Sequence, residues 1–111
     1  MELQRIIQES VPGKQITLSH VISSPDSELY ERIGIDSKSS IGILTVTPSE
    51  TAIIAADIAT KASAVQLGFV DRFSGAVLIL GDVESVYCAL LEVNRVFETV
   101  LGFSVVAVTK T

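Results

Sequence analysis

Few residues of this chain have the types and spacing for chemistry. There is one histidine, His20, and one cysteine, Cys88. His20 lies in the alternating stretch Gln15 to Ile22 with no Cys/His set around it, so metal ligation lacks partners and a packed or interface histidine is the reading. Cys88 has no identifiable histidine base, which leaves a nucleophilic role without support. Asp71-Arg72-Phe73-Ser74-Gly75 sets a charged pair beside a Ser-Gly turn, either a ligand turn or a solvated one. Asp57 precedes Lys61 by four residues, the favourable order for a helical ion pair. No two carboxylates can be assigned to one acid–base site. GxGxxG, Walker, HExxH, CxxC and Gly-x-Ser-x-Gly motifs are absent, and the scattered glycines give no phosphate cradle. The expectation is a protein that is not an enzyme and uses no cofactor or metal.

The elements that position these residues belong to one domain, because 111 residues suffice for one core. Hydrophobic residues make up 48% and charged residues 19%, and the mean hydropathy is +0.51. So small a chain has a high surface-to-volume ratio and normally carries more polar surface. It therefore spans a membrane or buries surface against partners. No apolar run approaches the ~20 residues of a membrane span; the run Ala76 to Leu80 is strand-sized. Met1 to Arg5 lacks a signal peptide's apolar region, and a lone cysteine fits a reducing compartment. A cytosolic, assembling protein is expected. The net charge of -5 and the absence of a Lys/Arg cluster argue against nucleic acid.

In chain order, Leu3 to Val11 is a short terminal segment ending at Pro12-Gly13. Gln15 to Ile22 alternates as a strand, with Ile16, Leu18, His20 and Ile22 on one face. Ser24-Pro25-Asp26 predicts a short helix capped by Ser24, with Leu29, Tyr30 and Ile33 on one side and Gly34 ending it. Asp36 to Ser40 reads as a polar hinge. The stretch Ile41 to Gly81 is the centre of the chain: a strand to Thr47, a helix capped by Thr47 with Pro48 in its first turn, then a hairpin. The helix presents Ala52, Ala55, Ala59 and Ala62 to a sheet, while Ile53, Ile54 and Ile58 would be partly exposed in a monomer. The hairpin joins Val65–Val70 to Ala76–Leu80 through the Asp71–Gly75 connection. Asp82 caps an amphipathic helix to about Leu101 that packs Val83, Val86, Tyr87, Leu90, Phe97 and Val100. Phe103 to Thr109 is a final strand. From residue 41 the order strand, helix, strand, strand, helix, strand is the split βαβ, ferredoxin-like α+β pattern with an antiparallel sheet.

Several of these segments also resemble one family. Arg5-Ile6-Ile7-Gln8-Glu9, Val11-Pro12-Gly13-Lys14-Gln15, the run Ile41 to Glu50, and Gly68-Phe69-Val70-Asp71-Arg72-Phe73-Ser74-Gly75 are similar to the circularly permuted bacterial microcompartment (BMC) shell proteins of propanediol and ethanolamine utilisation. The similarity runs nearly the whole length. It implies a single permuted BMC domain over 14–111 that assembles as a homo-hexamer. Hexamers would tile with other shell proteins into the coat of a microcompartment in the cytoplasm, with encapsulated enzymes or their targeting peptides as further partners. It implies that residues 1–12 form one strand of a six-chain β-barrel over the central pore, making Leu3, Arg5, Ile6, Ile7, Gln8 and Glu9 barrel candidates. Ala55-Ala56-Asp57 with Lys61 resembles the Ala-Ala-Asp-x-x-x-Lys of ordinary members, which makes Lys61, with Asp57, a hexamer-edge candidate. Asp71, Arg72, Phe73, Ser74 and Gly75 match the ordinary pore-loop position. Ser10 stands where this family leads one to expect an aromatic residue. The rival reading is an oligomeric ferredoxin-like domain that binds a small molecule or regulates.

Overall fold

Backbone pairing organises the chain around a five-stranded sheet. The structure, a computed structural model, describes residues 13–34 and 39–111. The strands are β1 (Gln15–Ile22), β2 (Ser40–Thr47), β3 (Gln66–Asp71), β4 (Ala76–Gly81) and β5 (Thr109–Lys110), in the spatial order β3-β4-β2-β1-β5. The helices are α1 (Ser27–Arg32), α2 (Ala52–Ala62, entered through a 3-10 turn at Ser49–Thr51) and α3 (Val83–Thr99). The expected split βαβ order is present from β2 onward. The sheet is mixed, however, rather than purely antiparallel. A ferredoxin-like sheet would close its last strand against β2. Here β1 occupies that place, antiparallel to β2, and β5 pairs parallel to β1 outside it.

The predicted final strand is mostly irregular. The chain touches β1 at Ser104, which donates to Lys14 O and accepts from Ile16 N, and again at Thr109–Lys110. Between these points Asn94 Nδ2 of α3 donates to Val106 O at 2.7 Å. A side chain thus takes the carbonyl that a strand ladder would have used.

The alternation expected in β1 also breaks. Ile16 pairs with Val46 but Leu18 pairs with Thr45, so Thr17 is an extra residue in a bulge. A bulge switches the side-chain parity. Ile16, Ser19 and Val21 are therefore buried together, while Leu18, His20 and Ile22 face the other side.

The main core fills one face of the sheet. Val21, Leu44, Val46, Val77 and Ile79 pack against the alanines of α2 and against Val86, Leu90, Val93 and Phe97 of α3. The alanines are Ala52, Ala55, Ala56 and Ala59; Ala62 is exposed at the helix end, a correction of one turn-edge position. Gly42 explains how closely α3 lies on β2. A Cβ there would stand 2.7 Å from Val86 Cγ1 and 2.9 Å from Ile79 Cγ1. The opposite face carries a smaller cluster of Tyr30, Ile41, Leu78 and Leu80 under α1, where the Tyr30 hydroxyl donates to Ser39 O.

Helix starts differ in detail from the sequence reading. Asp26, not Ser24, caps α1, because its carboxylate accepts from Glu28 N at 3.1 Å. Thr47 stays in β2 opposite Gln15 and caps nothing; the turn after it is held by Thr51 Oγ1 donating to Pro48 O at 2.7 Å. Tyr87 and Val100, read as packed, are exposed, and Ala89 and Val93 take their places. At 3.6 residues per turn Tyr87 lies about 100° round the helix from Val86, which turns it off the core.

Asp82 caps α3 as expected, accepting from Ser85 N at 2.9 Å. The Ser85 N–H, and then the Ser85 hydroxyl, hold its carboxyl below the ordinary value of 3.8. Because the folded value is depressed, this contribution is present above pH 3.8 and fades as pH falls through the lower folded value. Asp82→Asn keeps a capping oxygen and removes the titration. An acid-unfolding series should therefore show a shallower fall below pH 3.8 for that variant than for the parent; identical acid limbs would remove Asp82 from the acid response.

Candidate functional site

The residues singled out by sequence lie at two ends of the domain. The Asp71–Gly75 turn joins β3 to β4. Asp71 organises it: Oδ1 accepts from Phe73 N at 2.9 Å and Ser74 N at 3.4 Å, and Oδ2 accepts from the Ser74 hydroxyl at 2.9 Å. The Phe73 N–H, and next the Ser74 hydroxyl, hold the Asp71 carboxyl below its ordinary range. Gly75 closes the turn at φ +81, donating to Asp71 O, while its carbonyl accepts from Val46 N at 2.9 Å. Asp71 thus spends its charge inside the turn. The Arg72 guanidinium instead lies 4.8 Å from the centre of the Phe73 ring, and Phe73 is 80% exposed. The turn therefore shows an arginine and an aromatic ring to its surroundings.

The strand registers fix what else lies at this end. Thr45 pairs with Ala76 and Gln15 with Thr47. Gly13 sits beside Thr47, with a Cβ position 3.8 Å from Thr47 Cγ2, and Ser104 N donates to Lys14 O at 3.0 Å. The chain therefore enters β1 at the same end as the Asp71–Gly75 turn. Leu3, Arg5, Ile6, Ile7, Gln8 and Glu9 lie outside the described residues.

Lys61 stands at the other end. α2 starts beside the turn, where Ser49 Cα is 3.2 Å from the Gly75 Cβ position. It then runs eleven residues away, roughly 16 Å at 1.5 Å per residue. Lys61 Nζ pairs with Asp57 Oδ2 at 3.1 Å, and the lysine side chain is 74% exposed. Exposed pairs of this kind contribute little to stability, which leaves the ammonium available to another molecule. The turn and Lys61 are not brought together; they mark opposite ends of one helix.

His20 is half-buried on the sheet face away from α2 and α3. Nδ1 contacts Thr109 Oγ1 at 2.5 Å and Nε2 contacts Thr111 Oγ1 at 2.9 Å. It fastens the last residues to β1, the packing role expected of it. Cys88 is exposed, on the polar side of α3 as read. Among the described residues no group of three or more His, Cys, Asp or Glu could hold a metal ion, and no helix is long and apolar enough to cross a membrane.

Sequence reading missed two features. Ile53 of α2, Phe69 and Val70 of β3, and Phe73 of the turn line a single apolar groove. Tyr87 and Leu91 of α3, and Val106 after it, are exposed as well. The high apolar content was the signal for both, but it carries no position.

Comparison with known proteins places this geometry. The BMC domain profile matches residues 40–109. Bacterial microcompartment shell protein CutR of Streptococcus intermedius is 53% identical over 109 residues, covering 98% of this chain and 94% of that protein. Bacterial microcompartment shell protein PduU of Salmonella typhimurium is 52% identical over 108 residues, covering 96% and 93%. A solved CutR flat hexamer superposes with a TM-score of 0.88 at 53% identity, over 96% of this chain and 99% of that one. With the profile spanning most of the chain and identity above one half along its whole length, this protein belongs to the BMC domain family.

Proposed function

We propose that this chain is a structural shell protein of a bacterial microcompartment, not an enzyme. It acts by closing into hexamers that tile with other shell proteins into the coat. The observation that carries this reading is the near-complete match, in sequence and in fold, to a protein solved as a flat hexamer. The exposed apolar side chains Ile53, Ile54, Leu67 and Phe69 add a physical reason, since they lose water contact only on assembly. The domain is of the circularly permuted type. β1 stands where a ferredoxin-like sheet has its last strand, in keeping with an element moved to the front of the chain.

Within the hexamer the Asp71–Gly75 turn faces the six-fold axis and Lys61 the rim, because α2 separates them along its length. The chain enters β1 at the turn end. This supports the reading in which residues 1–12 join their five copies as a barrel over the pore. Phe73 and Arg72 then border the pore beneath it. Tiling uses Lys61, whose exposed ammonium pairs with Asp57.

The parent chain and two variants, read by native mass spectrometry and by electron microscopy of assembled sheets, test this. The parent chain should be a hexamer of 11.8 kDa subunits; a monomer or dimer at micromolar concentration would overturn the shell reading. Lys61→Ala should remain hexameric and lose sheet formation, and unchanged sheets would remove Lys61 from the rim. Deleting residues 1–12 should keep the ring and increase small-solute passage through it. An unchanged permeability would end the barrel assignment.

A further inference from the structure

In a closed ring each side chain near the axis recurs in every protomer, so a lone charge on one chain becomes a cluster in the assembly. The tip of the Asp71–Gly75 turn carries such a charge. The described arginines are Arg32, Arg72 and Arg95. Arg32 pairs with Glu28 and Arg95 with Glu92, while Arg72 has no carboxylate partner among the described residues.

Two carboxylates lie close in the fold, and neither neutralises Arg72. Both oxygens of Asp71 are taken up inside the turn, by Phe73 N, Ser74 N and the Ser74 hydroxyl. Glu50 stands in the 3-10 turn that enters α2 beside Gly75, and it too makes no ion pair among the described residues. The Arg72 guanidinium lies instead on the exposed Phe73 ring. A ring contact occupies the flat face of a guanidinium and leaves its N–H edges free to donate. The turn that displays this pair is tied down at its end, where Gly75 N donates to Asp71 O and Gly75 O accepts from Val46 N.

We infer that the Arg72 guanidinium groups of the ring converge on one site that binds a multivalent oxyanion, either a phosphate-bearing solute or a polycarboxylate. The inference rests on the hexameric reading with this turn at the axis, and it adds a ligand class to that place. Arginine suits such a ligand, because its planar fork meets two oxygens of a phosphate or carboxylate at once. Copies of one charge gathered at a narrow mouth also focus their field on an anion. The bound anion relieves their mutual repulsion. A neutral or cationic solute gains nothing from this arrangement.

Isothermal titration calorimetry of the hexamer with pyrophosphate, and separately with citrate, tests the site. The expected result is one anion per hexamer, bound more weakly as salt is raised. Arg72→Gln loses both charge and fork and should weaken binding about tenfold or more. Arg72→Lys keeps the charge without the fork and should fall between Arg72→Gln and the parent. Arg32→Gln and Arg5→Gln should bind as the parent does. Native mass spectrometry checks that each variant is still a hexamer, and Arg72→Lys carries the comparison if Arg72→Gln does not assemble.

Binding of one anion and not the other supports the site and says whether phosphate or carboxylate is its ligand. An anion for every chain would mean that each turn binds alone, and would overturn the inference. So would unchanged affinity in the Arg72 variant that assembles, or an equal loss in Arg32→Gln or Arg5→Gln. If the parent chain is not a hexamer, the shell reading fails; if it is a hexamer that binds neither anion, only the anion site fails.

Discussion

Replacing Gly75 with alanine lowers the stability of the protomer by about 3 kcal/mol, through positive-φ strain and a backbone clash together. Gly75 has φ +81, and an added Cβ would stand 2.2 Å from Val46 O and 3.2 Å from Ser49 Cα. Both neighbours are backbone, so no side chain can swing aside. The clash would also press on the Val46 N to Gly75 O bond that ties the turn to β2. Gly102 supplies the control. It has φ +73 but nothing within 4 Å of its Cβ position, so Gly102→Ala should cost only about 1 kcal/mol of conformational strain. Urea titrations at one fixed protein concentration measure both, since assembly makes the midpoint depend on concentration. Equal losses for the two alanine variants would show that crowding at Gly75 is relieved by movement of the turn. The consequence reaches function because the same turn presents Arg72 and Phe73.

The second large effect is at Phe97. It is fully buried, and its ring meets Phe103 edge-on with centroids 4.8 Å apart at 73°. Its carbonyl accepts from Phe103 N at 2.8 Å, so one residue anchors the point where α3 ends and the last leg of chain returns to β1. Phe97→Ala should cost about 3–5 kcal/mol, the usual range for removing a buried phenylalanine, with the aromatic contact included. Phe97→Leu should lose less, since it keeps most of the volume. A Phe97→Ala loss below about 1 kcal/mol would mean that the helices collapse into the space. The variant should also loosen β5, because Phe103 and Ser104 are the first contacts of that leg with the sheet.

Assembly was legible early for a simple reason. A chain of 111 residues with 48% hydrophobic and 19% charged residues has more apolar side chains than one small core can take. Ile53 and Ile54, read as partly exposed beside Asp57 and Lys61, are indeed exposed at the surface of α2. The Asp82 cap, the Gly34 stop and the Asp71–Gly75 hairpin were legible too, since each rests on a local rule: a carboxylate reaching its own helix N–H, or a glycine at positive φ. His20 needed the fold to be understood. Its partners Thr109 and Thr111 lie about ninety positions away in the chain, and nothing in the alternation of β1 points to them.

Sequence by itself determined most of the element types and their limits, the family resemblance and the need for partners, because those follow from local periodicity, turn chemistry and composition. Only the tertiary structure decided the sheet order, in which β1 enters between β2 and β5. Strand order is set by non-local hydrogen bonding and by which face each strand buries. It also decided the parity of β1, because one extra residue at Thr17 reverses which side chains reach the core. And it decided where the apolar excess reaches the surface, with Ile53, Phe69 and Phe73 around one groove and Tyr87, Leu91 and Val106 exposed elsewhere, where the sequence showed only that an excess existed.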